Sequence, residues 1–227
     1  MLSYGGFMYL SIIMPCKNEK DTIVSCIESA KKFLSEYNVG GEILVIDGGS
    51  TDGSRRLAKK HGAKVISQTK EGYGTAIKEG INKSNGDYII VGDCDGTYDF
   101  STLDGFVQCF KNNYDYVNGD RLVHGIEFNL SFFVAKFLSK INKHKKIASV
   151  DISDISSGLF GFSRDLINKV QINSEDKNFV PELIHKANEV DAKLCEVPVC
   201  LNSVQVKHSN KNVLRSCYNT VKYLLSV

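Results

Sequence analysis

Two carboxylates sit one residue apart in "DYIIVGDCDGTYDF", residues 87–100: Asp93 and Asp95, placed straight after an apolar run that ends in Gly92, with Asp99 close behind. In an extended segment alternate residues point to the same side, so both side chains can face one point. Left unpaired they would repel, and one would take up a proton. A hard divalent cation resolves the conflict, because Mg²⁺ or Mn²⁺ keeps a few carboxylate ligands and takes the rest from phosphate oxygens and water. The plainer alternative is a solvated turn, since Asp favours turns and helix caps.

A second acidic stretch is "VIDGGSTDGS". Asp47 ends an apolar run and is followed by glycines that permit close backbone approach. Its carboxylate can accept hydrogen bonds from a base N–H or a ribose hydroxyl, while Asp52 reads equally as a helix cap. The stretch lacks the Lys-Ser/Thr ending of a P-loop and is not G-x-G-x-x-G. A third stretch, "KEGYGTA", offers Lys70, Gly72 and Gly74 ahead of a helix. It suits contact with a nucleotide and equally a plain strand-to-helix connection.

These residues need a frame that brings them together. From "YLSIIMP" to "DYIIVGD" the chain alternates apolar strands with amphipathic helices; Ile23, Ile27, Ala30 and Leu34 form one helical stripe. Continuous apolar strands between helices predict a Rossmann-like, mostly parallel sheet with helices on both faces. Ligands of such sheets bind outside the carboxyl ends of the strands. Three strand tips there are polar: Lys17-Asn18-Glu19, Asp47-Gly48-Gly49-Ser50 and Asp93-Cys94-Asp95. They are expected to converge.

The second half is less regular. Helices are expected at "STLDGFVQCFKNN", at residues 126–142, at "PELIHKANEV" and at "VLRSCYNTVKYLLSV". Strands are expected at "YDYVNGDRL", within "SVDISDISSGLFGFSRD" and at "AKLCEVPVCL". With no repeat and no linker, the 227 residues read as one domain: a nucleotide-side half over about 8–120 and an acceptor-side half over about 121–227. A formal charge of +2 gives no field that argues for nucleic acid. Seven cysteines scattered singly read as reduced thiols of a cytoplasmic protein rather than a zinc site or disulfide framework. The N-terminal apolar run is too short for a signal peptide or a span and fits a first buried strand, with Met1 or Met8 as its start.

The ordered set "MPCKNE", "VIDGGSTDGS", "EGYGTAIKEGI" and "GDYIIVGDCDGTY" resembles family 2 glycosyltransferases, inverting enzymes with a GT-A fold. The later set "VNGDRL", "ISDISSGLFGFSRDLI", "FVPELIHKA" and "CEVPV" is similar to the branch holding dolichyl-phosphate mannose synthase and polyprenyl-phosphate sugar transferases. The resemblance implies a UDP- or GDP-sugar donor. Pro15, Asn18 and Glu19 would border the nucleoside, Asp47 would bind base or ribose, and Gly72 and Gly74 would shape the nearby loop. Asp93 and Asp95 would hold Mg²⁺ or Mn²⁺ on the diphosphate, with Asp95 as the direct ligand. Arg121 would lie near phosphate, Asp154 beside the reacting sugar carbon, and Glu182 would be a structural or sugar-side carboxylate. The chain departs from the pattern twice. Gly158-Leu159-Phe160 stands where Gly-Phe-Arg is usual, with Arg164 several residues on. After "EVPV" the chain reads "VQVKHSNKN", so Lys207, His208 and Lys211 become the candidates for acceptor phosphate.

The implied reaction is an in-line displacement at the anomeric carbon. A polyprenyl phosphate acceptor is already a nucleophile; a glycan or protein hydroxyl needs a base, for which Asp154 is the candidate. A nucleotide-sugar-binding module without turnover and a nucleotidyltransferase are the competing classes. The latter wants a Gly-rich, cationic loop after the first strand, which "PCKNEKDT" does not supply. Phe132, Phe133 and Phe137, followed by "KINKHKKIAS", mark a segment suited either to the core or to peripheral contact with a membrane face.

Overall fold

The computed structural model describes residues 8–122, 130–145, 152–202 and 210–226. Seven strands form one sheet: β1 (Tyr9–Cys16), β2 (Gly40–Asp47), β3 (Lys64–Ser67), β4 (Tyr88–Gly92), β5 (Tyr116–Asp120), β6 (Leu159–Ser163) and β7 (Leu194–Pro198). Among the described residues eight helices accompany them: α1 (Ile23–Glu36), α2 (Ser54–Lys60), α3 (Tyr73–Lys83), α4 (Asp104–Lys111), α5 (Leu130–Lys145), α6 (Arg164–Lys169), α7 (Phe179–Glu189) and α8 (Asn210–Ser226).

The sheet order is β3-β2-β1-β4-β6-β5-β7. β1 pairs in parallel with both β2 and β4, whereas β6 runs antiparallel between β4 and β5. The chain winds outward from β1 through β2 to β3, then returns across β1 to make β4. The strand order therefore reverses beside β1, which opens a crevice at the carboxyl edge there.

Alternation along the strands divides the core in two. Leu10, Ile12 and Met14 face α1, α2 and α4; Ile13, Leu44, Ile46, Ile89 and Val91 face α3 and α7. Helix α1 forms because Ile23, Cys26, Ile27, Ala30 and Phe33 recur on one side and are all buried. Burying each large apolar side chain of this kind contributes about 1.5–3 kcal/mol.

The expected mostly parallel, two-faced sheet is present. Cys109 on α4 and Cys195 on β7 place their sulfurs side by side, with Cα atoms 7.1 Å apart, wider than a disulfide spans without backbone movement. Cys16, Cys26 and Cys94 are free and buried.

Candidate active site

At the crevice beside β1 lies a cleft of about 340 Å³. Its floor comes from the tips of adjacent strands: Pro15 and Cys16 of β1, Gly48 after β2, and Asp93, Cys94 and Asp95 after β4. One wall is Gln68, Glu71, Gly72 and Tyr73, and Lys17 and Glu19 line it as well. The three polar strand tips thus converge as expected, with one qualification. Asp47 lies beneath the lining, 2% exposed, where its carboxylate accepts the Ser50 N–H at 3.3 and 3.4 Å. A wider hollow of about 710 Å³ beside Asn112, Tyr114 and Lys193 is lined by no acid or thiol.

Side chains of the two loops at the rim satisfy each other's backbone. Asn18 sits at φ 61°, its N–H donates to Ser50 Oγ (2.9 Å), and its Oδ1 accepts from the Thr51 N–H (2.9 Å). The Glu19 N–H donates to Ser54 Oγ (2.8 Å) and the Lys20 N–H to Asp52 Oδ2 (3.0 Å). Asn18 and Asp52 therefore fix the shape of the rim, and Glu19 is the side chain of this group that lines the cleft.

The opposite wall is held by a segment from the second half of the chain. A β-carbon on Gly74 would stand 2.7 Å from the Ser174 carbonyl oxygen, and Gly72, at φ 139°, is packed under the Glu175 carbonyl. Both glycines are thus needed for residues 174–176 to lie across the start of α3. Glu182, 5% exposed, anchors that segment by accepting from the N–H groups of Asn173 (2.8 Å) and Ser174 (2.7 Å). Burial alone would raise the Glu182 carboxyl; the two N–H donors outweigh it and hold it below the usual glutamate range. Lys70 pairs with Glu175 at 2.5 Å on the exposed outside of the wall. Lys177 instead lines the cleft, its Nζ 5.7 Å from the centre of the Tyr73 ring. The Tyr73 hydroxyl is buried beside the Asp93 carboxylate. Burial first, then the neighbouring Asp93 charge, push that phenol well above its ordinary pKa.

Asp95 Oδ1 accepts the Thr97 N–H at 2.9 Å, which braces the turn after β4. Asp93 packs against Gly158, just before the antiparallel strand β6, and the Asp93 N–H donates to the Gly158 carbonyl (3.2 Å). Among the described residues no group of three or more His, Cys, Asp or Glu side chains could hold a metal. The two carboxylates in one cleft fit a cation that takes its other ligands from diphosphate and water, the pattern of Mg²⁺ at phosphate sites.

Arg121 and Asp154 form a second centre. Arg121 Nε and Nη2 donate to Asp154 Oδ2 (2.5 Å) and Oδ1 (2.8 Å), and Nη2 also reaches the Ser156 carbonyl (3.0 Å). Asp154 is fully buried. Burial would weaken the Arg121 guanidinium as a base, but the adjacent Asp154 carboxylate more than reverses this and keeps it charged. Beneath them Glu196 of β7 accepts the N–H groups of Ser153 and Asp154 and the Asn118 side-chain amide. Burial raises the Glu196 carboxyl against those donors.

The remaining candidates are placed as follows. Arg164 donates to the carbonyls of Ile81, Ser84 and Gly86, so it caps the far end of α3, away from the cleft. Lys207 and His208 lie outside the described residues, as does the side chain of Lys211 on α8. Sequence reasoning missed Gln68, Tyr73 and Lys177 as lining residues. Gln68 lies just ahead of "KEGYGTA" and Tyr73 within it, but nothing local marks Lys177, which reaches the site from a distant stretch of chain.

A doubly wound sheet with an acid-floored cleft at its carboxyl edge is the architecture of a GT-A domain. The chain belongs to glycosyl transferase family 2, which matches residues 11–171. It is 32% identical over 200 residues to the low-salt glycan biosynthesis hexosyltransferase Agl6 of Haloferax volcanii, covering 84% of this chain and 47% of that protein. It is 25% identical over 190 residues to the dolichyl-phosphate hexose transferase of the same organism, covering 84% of this chain and 81% of that protein. Against the dolichol-phosphate mannosyltransferase of Pyrococcus furiosus the identity is 28% over 200 residues, covering 84% and 56%. The chain thus spans about half the length of two of these relatives. Among solved structures, glucosyl-3-phosphoglycerate synthase from Mycobacterium tuberculosis bound to uridine diphosphate shares the fold. The TM-score is 0.77 at 19% identity, covering 96% of this chain and 79% of that one.

Proposed function

We propose that this chain transfers a sugar from a nucleoside-diphosphate sugar to a polyprenyl (dolichyl-type) phosphate, with inversion at the anomeric carbon. The donor, a UDP- or GDP-sugar, occupies the cleft beside β1, with its nucleoside toward Pro15, Gly48 and Gln68. The diphosphate lies over Asp93 and Asp95, which would hold Mg²⁺ or Mn²⁺. When bound, that cation supplies positive charge for the departing diphosphate. Lys177 supplies further positive charge in the same cleft, whereas the Lys17 ammonium there is paired with Glu71 at 2.8 Å.

The observation that carries the choice of acceptor is the Arg121–Asp154 pair. A hydroxyl acceptor needs a carboxylate free to take its proton. Asp154 is fully buried, and both of its oxygens accept from Arg121. A phosphate acceptor arrives already ionised and requires no base, and a guanidinium suits the positioning of a phosphate. Relatives that are a dolichyl-phosphate hexose transferase and a dolichol-phosphate mannosyltransferase support the same class of acceptor. By this reading residues 8–120, joined by Lys177 from the second half, serve the donor, and the rest of the chain serves the acceptor.

The test is thermal-shift titration with UDP- and GDP-sugars, with and without Mn²⁺, followed by transfer to a polyprenyl phosphate. Ligand bound to the folded chain raises its melting temperature by mass action. Asp95→Ala should remove the Mn²⁺-dependent part of the shift and abolish transfer, with an unliganded stability loss of about 1 kcal/mol for the missing Thr97 N–H acceptor. Full transfer by that variant would contradict the assignment.

A further inference from the structure

Helices α5 and α8 pack against each other, and both rest on the core layer that holds Ile152 and Ile155, the residues flanking Asp154. Their inner faces are buried through Ala135, Leu138, Thr220 and Leu224. Their outer faces are not polar. Phe133 and Phe137 of α5 are 55% and 52% exposed, and Leu214, Tyr218 and Leu225 of α8 are 54%, 69% and 62% exposed. On α5 the exposed residues Phe133, Lys136, Phe137 and Lys140 recur at helical spacing, so rings and ammonium groups share one stripe. On α8 Leu214, Tyr218, Lys222 and Leu225 do the same.

The charge on this pair is one-sided. Seven of the chain's 28 Lys and Arg fall in α5 and α8, and none of its 26 Asp and Glu do. A soluble helix face normally mixes both signs and keeps large apolar side chains inward. Stripes that alternate large apolar groups with lysine suit a boundary where hydrocarbon lies under anionic headgroups. Long lysine stems reach outward to the headgroups while the rings go deeper. A second copy of the same face would bring Lys136, Lys140 and Lys222 against the same three like charges. A nucleic acid would take the charges and leave Leu214 and Leu225 without an apolar partner. Among the described residues no helix is long and apolar enough to cross a membrane, so the helices would lie on the surface rather than span it.

We infer that the outer faces of α5 and α8 form a docking surface for an anionic lipid bilayer, with Phe133, Phe137, Tyr218 and Leu225 entering the acyl boundary and Lys136, Lys140 and Lys222 contacting headgroups. The inference deepens the proposed function, since it supplies the surface from which a lipid-borne acceptor would be met.

The experiment is co-sedimentation of the full chain, without donor, on vesicles that contain no polyprenyl phosphate. One set is phosphatidylcholine alone; the other also carries phosphatidylglycerol. The chain should pellet with the anionic set, weakly with the neutral set, and be released as salt rises past the point where the Debye length falls to about 3 Å. Phe133→Ser with Phe137→Ser should lower anionic partitioning at least about tenfold, because two rings lose their burial. Lys136→Glu, Lys140→Glu and Lys222→Glu together should do the same. Melting temperatures of both variant sets, measured alongside, separate loss of docking from loss of fold. Failure to pellet, or equal pelleting by parent and both variant sets, overturns the inference. So does a dimer in sedimentation that Phe133→Ser and Phe137→Ser dissolve, which would make a second copy the occupant. Nucleotide-sugar titration on the same preparations keeps the two readings apart. Vesicle binding without donor binding would sink the proposed function alone; the converse would sink this one alone.

Discussion

Gly158 lies directly against the Asp93 carboxylate: a β-carbon there would stand 3.0 Å from Asp93 Cγ and nearer still to Oδ2. The contact joins the start of β6, in the second half of the chain, to the acidic tip of β4 in the first.

Gly158→Ala must therefore move a carboxylate on the cleft floor. A forced fit of this kind costs roughly 1–3 kcal/mol. We expect a lower melting temperature and, on the folded fraction, loss of Mn²⁺-dependent stabilisation by a nucleotide sugar. If the variant melts lower but keeps the full Mn²⁺ effect, Asp93 does not serve the cation.

The Arg121–Asp154 pair predicts a different signature. Removing one partner of a buried ion pair costs about 3–5 kcal/mol, since the survivor is left uncompensated. Arg121→Met should show a loss of that order in urea unfolding. Replacing both partners with apolar residues should recover much of it. Asp154→Asn keeps one acceptor oxygen for Arg121. With a phosphate acceptor, its transfer rate should fall by less than about tenfold. A loss of a general base would cost about 10²–10⁴-fold, so a drop of that size with donor binding intact would restore Asp154 as proton acceptor.

The first half of the fold was legible because its signals are local. The continuous apolar runs of β1, β2 and β4 and the stripe of α1 lie within single elements, and the strand-end rule then places Glu19, Gly48, Asp93 and Asp95 at one edge. What the sequence withheld depends on pairing between distant segments. A strand at "GLFGFS" was expected, but its antiparallel insertion between β4 and β5 is set by partners about 70 and 45 residues upstream. Gly72 and Gly74 read as a nucleotide loop, yet their closest constraint is the backbone of residues 174–176. Asp154 read as a base because no local feature announces that Arg121, 33 residues earlier, closes on both its oxygens. Glu196 passed unnoticed within a strand whose alternation offered no reason to single out one acid.

Glu182 gives the wall of the cleft a pH dependence. Its carboxyl is held below the usual glutamate value, so the stabilisation it contributes is present above the unfolded-chain value of about 4.3 and is lost as pH falls through the lower folded value. Glu182→Gln keeps one acceptor and leaves the N–H of Asn173 or Ser174 unmatched, at about 1–3 kcal/mol. Parent and variant should differ most near neutrality and converge in acid, as read from urea unfolding across pH. A difference that stays constant down to pH 3 would assign Glu182 no ionised role in holding residues 173–176.

Lys177 separates binding of the donor from support of the fold. It is exposed, it lines the cleft, and its ammonium stands over Tyr73 rather than in an ion pair like that of Lys70 with Glu175. Its removal leaves no buried group unsatisfied, so Lys177→Ala should melt within about 0.5 kcal/mol of the parent, the usual range for surface changes. If its charge faces the donor diphosphate, the KM for nucleotide sugar should rise several-fold, and the gap between parent and variant should shrink as salt screens the interaction. Lys177→Arg should retain most of the affinity, because it keeps the charge. Lys70→Ala, on the outer side of the same wall, is the control: its KM should stay at the parent's value. An equal rise in both variants would mean that the wall itself has shifted, and that Lys177 acts through its loop rather than on the phosphates.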